Sequence, residues 1–548
     1  MTTDTTTRRP PQEPPTLDLV LKRNSVERLK REKSPLVVLD ELPALIATGY
    51  ADIPEEDIVR LKWWGLYHDK PKVGTFMLRI KLPAGRITTS QLRAAGELSL
   101  AYGRDAGELS TRQTIQLHYL ELGSLPAVFE RLDDAGLVTV GACGDAVRNV
   151  TGCPLAGRAH DELFDVTPVL DEITSFFYGN PDYSNLPRKL KISISACAHR
   201  CNAPEINCIS LVGAVRDGEN GFAVLVGGGL SSVPRIARDL GVFVRVDEAV
   251  PVLRALLDAW QDDLRYRVSR VKARMKFMVD DLGPEGVRAR VEERLGYVLP
   301  DFVLPPHDGV PATHLGVERE HGGTVSVGVP VNVGLVSGTQ LVALADLVER
   351  LGHDARVTRQ QNIVLTGVDP AVVADVEAEL AEIGLPRELG PVRGRAIACT
   401  GEPHCNYAVT ETKSRLDRLI GGLEARFGDE LAGLHLHLDG CPHACWQHWV
   451  GDLGFQGTTV RDDAGKPHQA YDVLLRGGLG PDPAIGRPVF RRVPTAELDG
   501  VVEALLVAWI DGREHDEPFR RFLDRTTDSE LGVIVGREPA RRRGEDTT

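Results

Sequence analysis

The chain has 548 residues, of which 42% are hydrophobic and 26% charged, and its formal net charge is −14. That length exceeds one ordinary core and predicts several domains, while the composition is that of a soluble globular protein. The negative balance excludes nonspecific nucleic-acid binding and requires any acidic partner to dock on a local basic patch.

Residues 1–16, rich in Thr, Pro and Arg, lack the apolar core of a secretory signal and read as a disordered tail. No apolar run reaches the roughly 18 residues of a membrane span. The protein is therefore expected in the cytoplasm, without membrane contact. Residues 17–60 read as peripheral helices, charged from Val26 to Lys33 and apolar from Leu36 to Ile46. The cluster Lys62-Trp63-Trp64-Gly65-Leu66-Tyr67 reads as core or interface.

Residues 76–82 alternate in the manner of a strand, and Pro83 and Gly85 close the run. A helix is predicted at about 89–103, a second strand over Ser110–His118, and another helix near 125–135. This order predicts a small α+β sandwich. The plan then recurs over about 325–385. Thr111-Arg112-Gln113 matches Thr358-Arg359-Gln360 at an offset of 247, and Gln91 matches Gln340 at 249. The Gly-rich segment Val224–Leu230 matches Val473–Leu479 and Trp260 matches Trp509, both again at 249. Offsets so constant mark an internal duplication, with the copies expected to pack about a pseudo-twofold axis. Gly227-Gly228-Gly229 is not a Gly-x-Gly-x-x-Gly fingerprint, so no nucleotide domain is expected.

The chemistry concentrates in two cysteine clips, Cys399-x5-Cys405 and Cys441-x3-Cys445. Zinc clips are usually spaced by two to four residues, and nine cysteines, an odd number, argue against a disulfide scaffold. Four thiols in two clips are the standard ligand set of an iron–sulfur cluster, which is expected here over structural zinc or four unrelated buried cysteines. The first half holds a similar Cys197-x3-Cys201, with Cys153 roughly where the other clip would fall. Since no Cys-x5-Cys survives there, these residues read as a remnant of duplication; the alternative is a second cluster on Cys153, Cys197, Cys201 and Cys208.

Both clips, Ala-Cys-Thr-Gly-Glu-Pro-His-Cys at 398–405 and Gly-Cys-Pro-His-Ala-Cys at 440–445, resemble those of the sirohaem-dependent sulfite and nitrite reductases. The resemblance extends from about residue 20 to 536. It implies that Cys399, Cys405, Cys441 and Cys445 hold a 4Fe-4S cluster and that Cys445 also bridges to the sirohaem iron. It further implies an internally duplicated α+β fold, with two ferredoxin-like half-domains and two larger sirohaem and iron–sulfur α+β domains. The boundaries expected are 17–136, 137–315, 316–390 and 391–548.

Arg79 aligns with Gly328, so its charge has no counterpart in the second half; on position alone it would be a snorkelling surface residue. By the resemblance, Arg79, Arg148, Lys189 and Lys191 are the cations that bind the anionic substrate, and Arg112 binds sirohaem carboxylates. Gln116, His118, Asn149 and Arg188 lie beside these motifs as further cofactor contacts. Cys143, close to Arg148, reads as an ordinary buried thiol, with a thioether to Tyr67 as the alternative.

The activity implied is the six-electron reduction of sulfite or nitrite by a monomer. Having no flavin or nicotinamide module, the chain would take electrons from ferredoxin rather than a flavoprotein subunit. The first clip resembles the nitrite-reducing branch, whereas Lys189-x-Lys191 resembles the sulfite reducers, and the pocket pair carries more weight because it touches the anion. The competing readings are a sirohaem-free relative in corrinoid biosynthesis and a structural metal module; neither needs four cations in one pocket.

Overall fold

The computed structural model describes residues 14–307 and 311–540. Most of the expected tail, 1–16, lies outside the described residues; Thr16 itself caps the helix Leu17–Arg23 by accepting from Leu19 N.

Each small half-domain is a five-stranded sheet that borrows its last strand from the other half. Leu66–His68, Thr75–Lys81, Thr114–Glu121 and Gly107–Leu109 are completed by Leu335–Val336. Gly316–Arg319, Val325–Val329, Ile363–Val368 and Ala355–Val357 are completed by Arg86–Ile87. This exchange, with Leu335 opposite Glu108 and Ala355 opposite Ile87, is the pseudo-twofold relation drawn in backbone hydrogen bonds. One apolar core serves both halves, joining Leu92, Leu98 and Ile115 to Leu341, Leu344 and Leu365.

The recurring glutamines have a local cause. Thr88 with Gln91, and Ser337 with Gln340, form capping boxes that start the helices Thr89–Tyr102 and Gly338–Leu351. The two helices cross at glycines: a Cβ on Gly96 would stand 2.8 Å from Gly338 O, and one on Gly338 would stand 2.7 Å from Gly96 O. Backbone lies on both sides, so neither contact can yield. Gly96→Val is accordingly expected to cost about 1–3 kcal/mol by overpacking; an unchanged denaturation midpoint would show that this crossing does not hold the halves together.

The larger domains repeat one mixed sheet. Thr151–Gly152, Ile192–Ser195 and Ile209–Arg216 run parallel, and Glu219–Val226 and Arg238–Arg245 follow antiparallel. Ile397–Ala398, Leu436–Asp439, Leu453–Arg461, Pro467–Leu475 and Arg487–Pro494 copy that order. Gly228 belongs to this packing, since a Cβ there would meet Asn207 O at 2.4 Å.

Three sequence expectations are corrected. Ser110–His118 is not one strand: the chain turns through Thr111 and Arg112, and the strand starts at Thr114. The turn also shifts the repeat by one residue. Gln113 and Gln361 share a positive φ (53° and 63°), and their side chains reach Val357 O (3.0 Å) and Leu109 O (2.6 Å) respectively. Gln113 therefore corresponds to Gln361, and Arg112 to Gln360 rather than to Arg359. Finally, the N-terminal helices are not peripheral. Lys30, on the helix Ser25–Glu32, is buried and donates to Glu27 (2.6 Å) and to Leu186 O (2.8 Å) in the first large domain.

Candidate active site

Arg79 stands on the strand Thr75–Lys81 opposite Gln116, whose Oε1 accepts from Arg79 Nε at 2.9 Å. Gln116 Nε2 then donates to Glu108 (3.0 Å) and to Thr400 (3.1 Å), so a residue of the first clip is tied to the arginine of the first half. Arg79 Nη1 also reaches Cys143 Sγ at 3.5 Å. Tyr67 bonds the same thiol, and burial raises its phenol; the thioether alternative thus has its two side chains in contact.

Arg148 donates to Ala142 O (2.8 Å) and Gly144 O (2.7 Å), which shapes the loop carrying Cys143. Arg112 is held by Asn207 Oδ1 (2.5 Å) and by the carbonyls of Asn149 and Ile192. Its Nε, like that of Arg148, is buried without a partner. Asn149, a candidate cofactor contact, gives its amide to Leu82 O, Arg112 O and Gln113 O and accepts from Tyr178. That side chain positions the arginine turn, with no donor left for a ligand. Arg188 is paired with buried Asp145 at 3.1 Å, a carboxylate that also receives Arg270 (2.9 Å). His118 lies against the first clip, its ring 4.2 Å from that of His404 and its Nδ1 3.2 Å from Asp69. Burial opposes its charge, but Glu108 and Asp69 raise it to about 9.

The lysines show what the cavity lacks. Burial, opposed in part by Cys445, drives Lys189 well below the ordinary lysine range, with Arg274, Arg188 and Lys191 adding repulsion. Burial and the neighbouring Arg112 and Arg274 bring Lys191 down to about 7. Two further cations escaped the sequence reading. Lys81, two residues beyond Arg79 on the same face of its strand, is buried with its ammonium 3.1 Å from Val140 O; the period-two register was its visible signal. Arg274 carries no motif, and is buried with Nη2 3.3 Å from Cys208 Sγ.

The clips meet this cation set from the opposite side. Gly440 N donates to Cys399 Sγ at 3.2 Å, the amide-to-sulfur contact that an iron–sulfur site uses. Buried Asp439 accepts from Trp446 N (2.8 Å), His448 N (3.2 Å) and His448 Nδ1 (2.9 Å), and so folds the Cys441–Cys445 loop. Burial and the nearby Cys445 push Cys441 up to about 12. Burial also raises Cys445, against the pull of Lys189, although its surface is accessible. Cys445 is thus within electrostatic reach of Lys189 and Lys191 from the first half.

Buried cations forced toward neutrality, two orphaned guanidinium nitrogens and accessible thiol at one wall fit a carboxylate-rich macrocycle, a small oxyanion and a cluster. The mirror position is not equivalent. Strand correspondence places Gly433 and His435 where the first half has Lys189 and Lys191, and they line a separate cleft of about 740 Å³ with Arg359 and Gln360.

Comparison with known proteins agrees. The family described as nitrite and sulphite reductase 4Fe-4S domain matches residues 143–299, and the nitrite/sulfite reductase ferredoxin-like half domain matches 68–135 and 317–383. A sulfite reductase [ferredoxin] of Mycobacterium tuberculosis is 34% identical over 535 residues, covering 93% of this chain and 96% of the relative. The chain belongs to the nitrite and sulfite reductases. Family membership makes it an oxidoreductase and brings the sirohaem and 4Fe-4S pair. An assimilatory ferredoxin-dependent nitrite reductase of Haloferax mediterranei is also 34% identical, with 89% of each chain covered. The solved structure of M. tuberculosis NirA superposes with a TM-score of 0.88 at 33% identity, covering 93% of this chain and 97% of that one. The duplicated α+β architecture is therefore that of the nitrite and sulfite reductases. Among the described residues, no helix is long and apolar enough to cross a membrane.

In this reductase the first-half cysteines do not form the four-cysteine set that is the alternative to a remnant of duplication. Cys153, Cys197 and Cys201 are buried with their sulfurs all within 4.8 Å of one another. Cys208 stands apart, against Arg274.

Proposed function

We propose that this reductase carries out the six-electron reduction of sulfite to sulfide and of nitrite to ammonia, favouring sulfite and drawing single electrons from ferredoxin. The observation that carries the reading is that Lys189 and Lys191, from the first half, lie within electrostatic reach of Cys445, from the second. One chain completes the site, which supports a monomer; its placement in the cytoplasm rests on the sequence expectation.

Bound sirohaem and cluster would supply the electron transfer; the chain supplies charge, protons and a restricted pocket. Cys399, Cys405, Cys441 and Cys445 would hold the cluster, with Cys445 shared with the sirohaem iron. Arg112 and Arg188 would bind the macrocycle's carboxylates. Arg79, Arg148, Lys189 and Lys191 hold the substrate oxygens, arginine by planar contact and lysine as a compact charge that can also carry a proton. The two arginines are placed before the anion arrives, which is electrostatic preorganisation, while the two buried lysines gain charge as the anion offsets their burial. The family match to a 4Fe-4S domain over 143–299 falls on the first half. Only three thiols gather there, too close together for four separate irons, which favours the second half as the cluster's seat.

Lys191 decides the preference between anions. Near neutral pH sulfite approaches a dianion with three oxygens, whereas nitrite is a monoanion with two, so an added ammonium favours sulfite. One neighbouring charge is worth about 1–3 kcal/mol, roughly ten- to a hundredfold. Lys191→Asn is expected to lower kcat/KM for sulfite more than for nitrite, measured with reduced methyl viologen as donor. An equal loss on both anions, or a greater loss on nitrite, would instead assign the protein to nitrite reduction, the reading that its first clip favours.

A further inference from the structure

The three first-half thiols have beside them a histidine that no cysteine spacing could reveal. His314 is buried, with Nε2 3.8 Å from Cys153 Sγ, and it also bonds Cys201. Its other ring nitrogen, Nδ1, stands 2.9 Å from Glu318 Oε2. A carboxylate on Nδ1 fixes the tautomer that leaves the Nε2 lone pair free, the arrangement in which a histidine binds a metal. We propose that Cys153, Cys197, Cys201 and His314 form a Cys3His site for a single structural zinc ion.

The spacing supports one ion rather than a cluster. Sulfurs bound tetrahedrally to zinc at about 2.3 Å lie about 3.8 Å apart, and these three are within 4.8 Å of one another. Zinc would displace three thiol protons to solvent, leaving one net negative charge on the ion and its ligands. A cation is already in place: Arg359, itself buried, donates through Nε to Cys201 O at 3.0 Å.

The duplication explains how such a site arose. The strand Thr151–Gly152 corresponds to Ile397–Ala398, and Ile192–Ser195 to Leu436–Asp439. Cys153, Cys197 and Cys201 thus occupy the positions of Cys399, Cys441 and Cys445, and only Cys405 lacks a counterpart. In place of that fourth thiol, His314 enters from the connector that precedes the strand Gly316–Arg319. A four-thiol clip pair has become a three-thiol, one-imidazole clip. The ion would pin the loops after two strands of the first large domain to the entry of the second half-domain.

The test uses the complete holoenzyme, purified without added metal or chelator. Elemental analysis is expected to find one zinc per chain in addition to iron, and zinc X-ray absorption is expected to show three sulfur neighbours and one nitrogen. Glu318→Gln, a neutral isostere on a partly exposed side chain, should weaken zinc retention against a chelator by roughly 10–100-fold. Iron content and the visible spectrum should not change. Zinc far below one per chain, with the three thiols free or two of them joined as a disulfide, would overturn the proposal. So would loss of about a cluster's iron from a Cys197→Ser, Cys201→Ser double variant, since that would make the site an iron–sulfur centre.

Discussion

Cys445→Ser is expected to leave less than about 1% of the parent turnover with either anion, because even outer-shell changes at a metal cost about 10–100-fold and this one removes a ligand. Serine cannot stand in for the thiolate. A thiol ionises near pH 8.5, lower beside cations, whereas a hydroxyl does not ionise in the working range. Burial raises this thiol, and Lys189 and Lys191 oppose that rise, so the neighbouring cations favour its anion. The visible spectrum should change together with activity. Full turnover with an unchanged spectrum would remove Cys445 from the shared-ligand role while leaving the other three thiols as cluster candidates.

The second large effect is expected at Lys189. Its ammonium lies among Arg274, Arg188 and Lys191 and faces Cys445, so methionine at this position keeps the chain's bulk and deletes only the charge. Removing one preorganised donor from a charge-developing site costs about 10²–10³ in kcat. Lys189→Met should therefore lower kcat by that factor for sulfite and nitrite alike, in preparations matched for iron and sirohaem. A change confined to KM would reduce Lys189 to an attractor of the anion. Arg148 is a poorer choice for this experiment, because its guanidinium also holds Ala142 O and Gly144 O and its loss would disturb the loop as well.

Several features were legible because they are local. Alternation along Thr75–Lys81, the capping glutamines Gln91 and Gln340, and the spacing of the two clips all report on a few consecutive residues. So did the duplication, since each landmark recurs intact. Where the reading slipped, packing had intervened. Ser110–His118 looks like one extended run, but Gln113 takes a positive φ so that its amide can reach Val357 across the pseudo-twofold axis. Residue identity pairs Arg112 with Arg359, although the backbone pairs it with Gln360. Asn149 lies beside Arg148 in sequence, yet its amide faces backbone carbonyls.

Fold class and repeat could be read from the chain alone, because hydrophobic period and spacing are properties of short stretches; the same stretches suggested the cation-bearing half and the cluster clips. Only the tertiary structure decided which stretches face one another. Cys445 lies within electrostatic reach of Lys189 of the other half, Gln116 links Arg79 to Thr400, and His314 closes on Cys153 and Cys201 far upstream. The physical reason is that side-chain direction reverses with each residue along a strand. A site assembled from several strands and loops therefore depends on register and packing across the whole chain, which no local pattern records.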